Sequence, residues 1–373
     1  MVLNGETNMT DELSRTSALA SRHTALGSGL EDWNGMGTAW SYNTDPNDEH
    51  DAVRERAGMF DMSPLKKVLV SGPDATAVID HLTTRDASRI REGEAAYLSI
   101  LTNEGTMADD AIVYYNGGDE WMIVHGSGDT MRLLEASAKG HSVDIEFTDE
   151  LHDLSVQGPQ SLEILNDNCD RDLTQLTYFN HAEAKLFNHP CRISRTGYSG
   201  ERGYEIFADG VVIGDIWDRL VEAGVMPCSF TALDKVRIEA GLLFYGYDMT
   251  TDHTPYEVGL GFTVSNSKDD FRGKQALAAS KGNEKINNVC IVVDHSDMVN
   301  GEERLLLNGE AVGIVNSPCY SHRLGKSLAL AHVHPSAAAI GTKLAVKGGD
   351  IDTSAIVVEM PIYDPEKKRT HAK

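Results

Sequence analysis

Arg195-Thr196-Gly197-Tyr198-Ser199-Gly200-Glu201-Arg202-Gly203-Tyr204-Glu205-Ile206-Phe207 sets glycine-rich turns around arginine, tyrosine and glutamate, then runs into an apolar pair that reads as a strand. Glycines at 197, 200 and 203 open backbone angles closed to other residues, so the side chains between them can be directed into a cleft. Aromatic faces plus carboxylates suit a flat, amide-rich heterocycle. The same stretch also fits a glycine-rich strand-turn-strand corner, and what surrounds it decides between the two.

Outward from that turn, Asp234-Lys235-Val236-Arg237-Ile238-Glu239-Ala240-Gly241 reads as an amphipathic helix stopped by Gly241. Arg237 and Glu239 are expected not to share the core. The arginine either anchors a ligand carboxylate by a bidentate contact or pairs with a neighbouring acid. Upstream, Tyr97 to Leu101, the turn Asn103-Glu104-Gly105, and Asp109-Asp110-Ala111-Ile112-Val113-Tyr114 read as strand, turn and strand. Neighbours on a strand point to opposite faces, so one of Asp109 and Asp110 can enter a pocket while the other meets solvent or a backbone amide. Two acids closing a turn is the plainer alternative.

Val70-Ser71-Gly72-Pro73 and Val156-Gln157-Gly158-Pro159 share a V-x-G-P pattern, each predicting a strand, a glycine turn and a helix. Helical spacing also covers Glu49 to Gly58. Residues 1 to about 30 are polar and suit a loose arm, with order expected from about Leu30. Trp33, Trp40 and Tyr42 lie among glycines and serve either as core packing or as a cage for a methylated cation. Beyond about 270 the short apolar runs and Asn308-Gly309 predict antiparallel strands, a hairpin, and a small barrel or jelly roll.

The chain has 373 residues, which suits two or three domains. With 57 acids against 33 bases its formal charge is −24, which makes nucleic acid an unexpected partner. No apolar run reaches membrane-spanning length, and no signal peptide is read at the start, so neither a membrane nor secretion is expected. Five scattered cysteines form no C-x-x-C pair, which suggests reduced thiols and a cytoplasmic location. No metal site is read: His332-Val333-His334 has no companion ligands nearby. Gly325-Lys326-Ser327 lacks the upstream glycine of a P-loop, and no dinucleotide fingerprint opens the chain.

Together, D-M-S at 61–63, V-S-G-P-D-A at 70–75, N-E-G-x-x-x-D-D at 103–110, R-T-G-Y-S-G-E-x-G-Y-E at 195–205 and R-I-E-A-G-L at 237–242 resemble the aminomethyltransferase family. That family includes the glycine-cleavage T-protein, dimethylsulfoniopropionate demethylase, and the folate domains of dimethylglycine and sarcosine dehydrogenases. The resemblance, from about Thr16 to Arg369, implies an α+β, three-domain, cloverleaf-like fold around a central folate channel. Its expected division is 1–60 with 150–265 as a discontinuous folate-binding domain, 61–149 as a second α+β domain, and 266–373 as a C-terminal antiparallel β domain.

The resemblance further implies tetrahydrofolate as cofactor. Asp110 would lie by the pterin's reactive nitrogens, Glu205 would accept from its ring edge, Tyr97, Tyr178, Phe179 and Tyr198 would line it, and Arg237 would assist. Methyl transfer to a folate nitrogen needs alignment and a carboxylate to take a proton, with no covalent nucleophile. The expected function is a tetrahydrofolate-dependent demethylase acting on a small methylated amine or sulfonium compound. The alternative is the glycine-cleavage T-protein with a lipoyl carrier protein as partner. Ser63-Pro64-Leu65-Lys66 and Gly105-Thr106 depart from the T-protein's S-H-M-G and G-G, and the net charge disfavours an acidic carrier. A folate-binding protein without enzymatic activity ranks lower, because the turn at 195–201 lacks the K-G-C-Y-x-G-Q signature of such relatives.

Overall fold

The computed structural model describes residues 13–372. Three large sheets, one of them a closed barrel, make the α+β, cloverleaf-like architecture, beside a small two-stranded sheet of Glu31–Trp33 and Met36–Thr38. The acidic strand Met107–Gly117 lies in a five-stranded antiparallel sheet, ordered Ala95–Leu101, Met107–Gly117, Glu120–His125, Lys66–Ser71, Asp144–Thr148. Alternation divides this strand. Ala111 and Val113 pack with Val78, Ile79 and Leu134 from the helices Ala75–Leu82 and Thr130–Ser137. On the other face, Tyr114 joins Phe207 of the neighbouring sheet.

That neighbour has six strands, ordered His181–Leu186, His189–Ser194, Gly203–Asp209, Leu151–Gln157, Gly58–Asp61, Met226–Pro227, with only the last pair parallel. Tyr204 and Ile206 point into its core against Ile213, Ile216 and Trp217 of helix Gly210–Glu222, so Glu205 and Phe207 point the other way. The two sheets therefore meet face to face, with Tyr114, Glu205 and Phe207 at the seam. Both V-x-G-P units form as expected: Gly72 and Gly158 take positive φ of 118° and 128° between a strand and a short helix. A Cβ on Gly158 would sit 2.6 Å from the Arg56 carbonyl oxygen, so the turn needs both the angle and the space.

The C-terminal strands close into a six-stranded antiparallel barrel spanning Asn287–Val293 to Ile351–Val358. Asn308 and Gly309 both adopt positive φ and join Leu307 to Glu310, the expected two-residue hairpin. The N-terminal expectation needs correction. Order precedes Leu30, because helix Ala20–Ala25 buries His23 between the Tyr42 hydroxyl and Asp61; residues 1–12 lie outside the described part. No helix among the described residues is long and apolar enough to cross a membrane.

Candidate functional site

Asp109 and Asp110 show how one strand separates two acids. Asp109 is fully buried, with Oδ2 2.9 Å from His125 Nδ1 and accepting from Thr130 Oγ1 at 2.6 Å, while Oδ1 accepts from the Asp110 amide. Gly128 packs on it so closely that a Cβ there would lie 2.3 Å from the carboxyl carbon. Asp110 faces the other way with far less support: Tyr97 donates its hydroxyl to Oδ2 at 2.9 Å. Burial, then the charge of Asp109, pushes the Asp110 carboxyl up to about 7. A carboxyl that titrates near neutrality can both take and return a proton.

Glu205 sits across the seam on Gly203–Asp209. Tyr114 donates to its Oε2 at 3.2 Å and Thr196 donates to the same oxygen, while burial raises its pKa against those bonds. Tyr114 lies on the Asp110 face of its strand, so a single strand face reaches both acids. Behind Glu205 are two more ionisable groups. Asp153 is fully buried with both carboxyl oxygens unpartnered, and burial together with Glu205 raises its pKa well above the ordinary range. Lys67 is held by the carbonyls of Ser63 and Leu65, and burial brings it down to about 8. Asp153 and Lys67 escaped sequence reasoning because nothing local marks them.

The glycine turn works differently from the reading of its sequence. Only Gly200 has positive φ, 76°. Gly197 and Gly203 supply space instead: a Cβ on either would lie within 2.2 Å of Gln157 Oε1. Gln157 stitches the turn to the sheet, accepting from Ser199 Oγ at 2.7 Å and donating to Ser155 Oγ and the Thr196 carbonyl. Glu201 takes Arg54 at 3.2 Å and Tyr363 at 2.6 Å, so it fastens the turn and does not face a ligand.

The expected aromatic residues divide between two ends. Tyr97 stacks on Phe262 at 6.4 Å between centroids, and Tyr198 donates to the Leu243 carbonyl. The charge of Asp110 acts on both tyrosines. Tyr178 and Phe179 meet edge to face at 4.7 Å, and Glu205 acts on Tyr178. Tyr178, Phe179 and Phe262 line a cavity of about 440 Å³, together with Arg85 and Arg89. A larger hollow of about 600 Å³, by Asp170, Lys185 and Arg219, contains none of the candidate residues.

Arg237 and Glu239 depart from expectation, since both are buried. Arg237 pairs with Asp234 at 2.7 Å and Asp248 at 2.5 Å and donates to Ser317, which is the neighbouring-acid outcome. Glu239 binds His50, Arg54 and Ser321. A helix hides two opposite charges when each has its own partners. Trp33 and Trp40 pack on Phe230 at 5.0 and 5.5 Å, and Tyr42 bonds His23, so the three rings serve packing.

Comparison with known proteins adds an independent line. Residues 19–268 match the GCVT N-terminal domain, and residues 287–364 match the glycine cleavage T-protein C-terminal barrel domain. The chain is 43% identical to the heme-dependent oxidative N-demethylase gamma subunit of Ectopseudomonas mendocina, covering 96% of this chain and 98% of that one. It is 32% identical to an aminomethyltransferase of Herpetosiphon aurantiacus, covering 95% and 100%. The fold is like that of glycine cleavage system aminomethyltransferase T from Bartonella henselae, with a TM-score of 0.88, 24% identity, and coverage of 94% and 98%.

Proposed function

The chain belongs to the aminomethyltransferase family, a family of one-carbon-transfer enzymes, and we propose that it receives the methyl carbon of a small methylated amine onto tetrahydrofolate, as the folate-binding subunit of an oxidative N-demethylase. The observation that carries this reading is Asp110, a half-buried carboxyl pushed up to about 7 with one tyrosine for support. The long match to an oxidative N-demethylase subunit favours an amine over a sulfonium donor.

The donor set fits a reduced folate. A pterin edge carries several N–H groups for which Glu205 offers acceptor oxygens, and behind it both carboxyl oxygens of Asp153 are unpartnered. Tyr97, Tyr178, Phe179 and Tyr198 supply ring faces. Arg85 and Arg89, beside Tyr178 and Phe179, would meet the glutamate carboxylates. Arg237, already paired with acids, would hold Tyr198 and the segment after the helix in place. The domain division at 61–149 and 266–373 belongs to the same reading.

Tetrahydrofolate, when bound, supplies two nitrogens that capture a carbon at the formaldehyde level with loss of water. Asp110 would take the proton released by the attacking nitrogen and return it to the departing oxygen. Tyr97 would hold the receiving oxygen in place, and the seam between the sheets would exclude bulk water. The T-protein reading, favoured by the matches to aminomethyltransferases, uses the same residues with a lipoyl protein delivering the carbon.

The test incubates the chain and tetrahydrofolate with formaldehyde, with a methylated amine plus an oxidative partner, with a methylated sulfonium, or with an aminomethylated lipoyl protein, and resolves the folate products. Methylenetetrahydrofolate forming above the uncatalysed rate in the first two arms supports the proposal. Strict dependence on the lipoyl protein supports the second reading. Asp110→Asn is expected to lower the rate about 10²–10⁴-fold while tetrahydrofolate affinity stays within about threefold. Equal loss of rate and affinity contradicts the role given to Asp110.

A further inference from the structure

We propose that His50, Asp51 and His322 form a binding site for a zinc-class divalent cation, clasping the helix Pro46–Glu55 to the C-terminal barrel. His50 and Asp51 are consecutive on that helix, and His322 lies in the turn between barrel strands Glu310–Ser321 and Lys326–Val333. One ligand atom from each of the three residues falls within 4.8 Å of the others. The site is separate from Asp110 and Glu205 and does not depend on the folate reading.

The carrying observation is His50, which is fully buried. Its Nε2 lies 2.9 Å from Glu239 Oε2, and the same oxygen accepts from two nitrogens of the Arg54 guanidinium, so Glu239 is the accepting carboxylate of the pair. Nε2 therefore carries the hydrogen, as in imidazoles whose far nitrogen ligates a metal with a carboxylate behind them. The remaining atom, Nδ1, is buried without a partner and faces Asp51 Oδ1 at 3.6 Å. That separation is too long for a hydrogen bond. It suits two ligand atoms about 2.0–2.2 Å from a shared tetrahedral ion, which lie roughly 3.4 Å apart.

His322 completes the set. Its Nε2 is hydrogen-bonded to Asp51 Oδ1 at 2.9 Å, a contact that an ion held between them would replace, and its Nδ1 is also buried and unpartnered. His322 and Asp51 keep 24% and 35% of their side-chain surface, which gives an ion a path inward. Arg323 competes, donating to Asp51 at 2.8 Å, but it also holds Glu55 at 2.6 Å and keeps that anchor if an ion takes Asp51. Arg54 stands behind Glu239 and is occupied by Glu239 and Glu201. Two imidazoles and one carboxylate suit zinc over magnesium or calcium.

The test strips the full chain with a chelator, dialyses it against zinc, and measures bound metal; cobalt in the same site reports coordination by its visible spectrum. We expect one equivalent of zinc, tetrahedral cobalt bands without thiolate charge transfer, and a higher melting temperature with metal. His322→Ala, at a partly exposed position, should remove the stoichiometric binding while circular dichroism stays unchanged, and Asp51→Asn should weaken it. Substoichiometric binding, thiolate bands from the free cysteines, or full binding by His322→Ala would overturn the proposal.

Discussion

Asp110 is half-buried and Glu239 fully buried, and their surroundings send the two acids in opposite directions. Glu239 receives His50, two nitrogens of Arg54 and Ser321, and its carboxyl falls to about 2. Asp110 receives one tyrosine hydroxyl, faces the charge of Asp109, and rises to about 7. Glu239 is saturated and joins its own helix to the helix Pro46–Glu55 and the barrel; Asp110 is left short of partners, as the proton-accepting role proposed for it requires. Linkage follows the same division. The lowered group stabilises the fold above its ordinary value of 4.5 and loses that contribution as pH falls towards about 2. The raised group favours the fold at low pH and loses its contribution as pH rises through about 7.

The contrast can be broken first at its saturated end. Arg54 also holds the Ser199 carbonyl and Glu201 and stacks 3.9 Å from the Tyr363 ring centre, so Arg54→Ala takes the guanidinium from two buried acids, leaving Glu239 to His50 and Ser321 and Glu201 to Tyr363 and the more distant Arg369. Stability should fall by about 3–5 kcal/mol, read from denaturant midpoints. A loss under 1 kcal/mol would mean that the network contributes little.

Asp109→Asn tests the support beneath the reactive end. It weakens the hold on His125 and Thr130, costing about 1–3 kcal/mol, and removes the charge that raises Asp110. The limb of the pH–rate profile assigned to Asp110 should therefore shift to lower pH, and an upward shift would contradict the account. Tyr97→Phe has the smallest expected effect, about 0.5–1.5 kcal/mol for one hydrogen bond. Because that bond lowers the Asp110 pKa, its loss should move the same limb upward.

Local chemistry made some of the molecule legible. The V-x-G-P turns and the Asn308-Gly309 hairpin depend on backbone angles set within a few residues, and both form as read. Period-two alternation separated Asp109 from Asp110, but His125 and Thr130, which decide the buried acid, arrive from another strand and a helix. Gly197 and Gly203 were legible as special but not as to cause, because Gln157 is brought against them only by strand pairing. The helix Ala20–Ala25 is polar and short, and His23 becomes interior only through Tyr42 and Asp61. Arg237 and Glu239 misled simple burial reasoning because each finds distant partners that no helical spacing discloses.

The most direct measurement is the single-turnover rate of carbon transfer to tetrahydrofolate from pH 5.5 to 8.5, in the wild type and in Asp110→Asn. The account expects the wild-type rate to rise about tenfold per pH unit below neutrality and level off above about 7, with that limb absent from the variant. A flat wild-type profile, or an identical limb in Asp110→Asn, would contradict it.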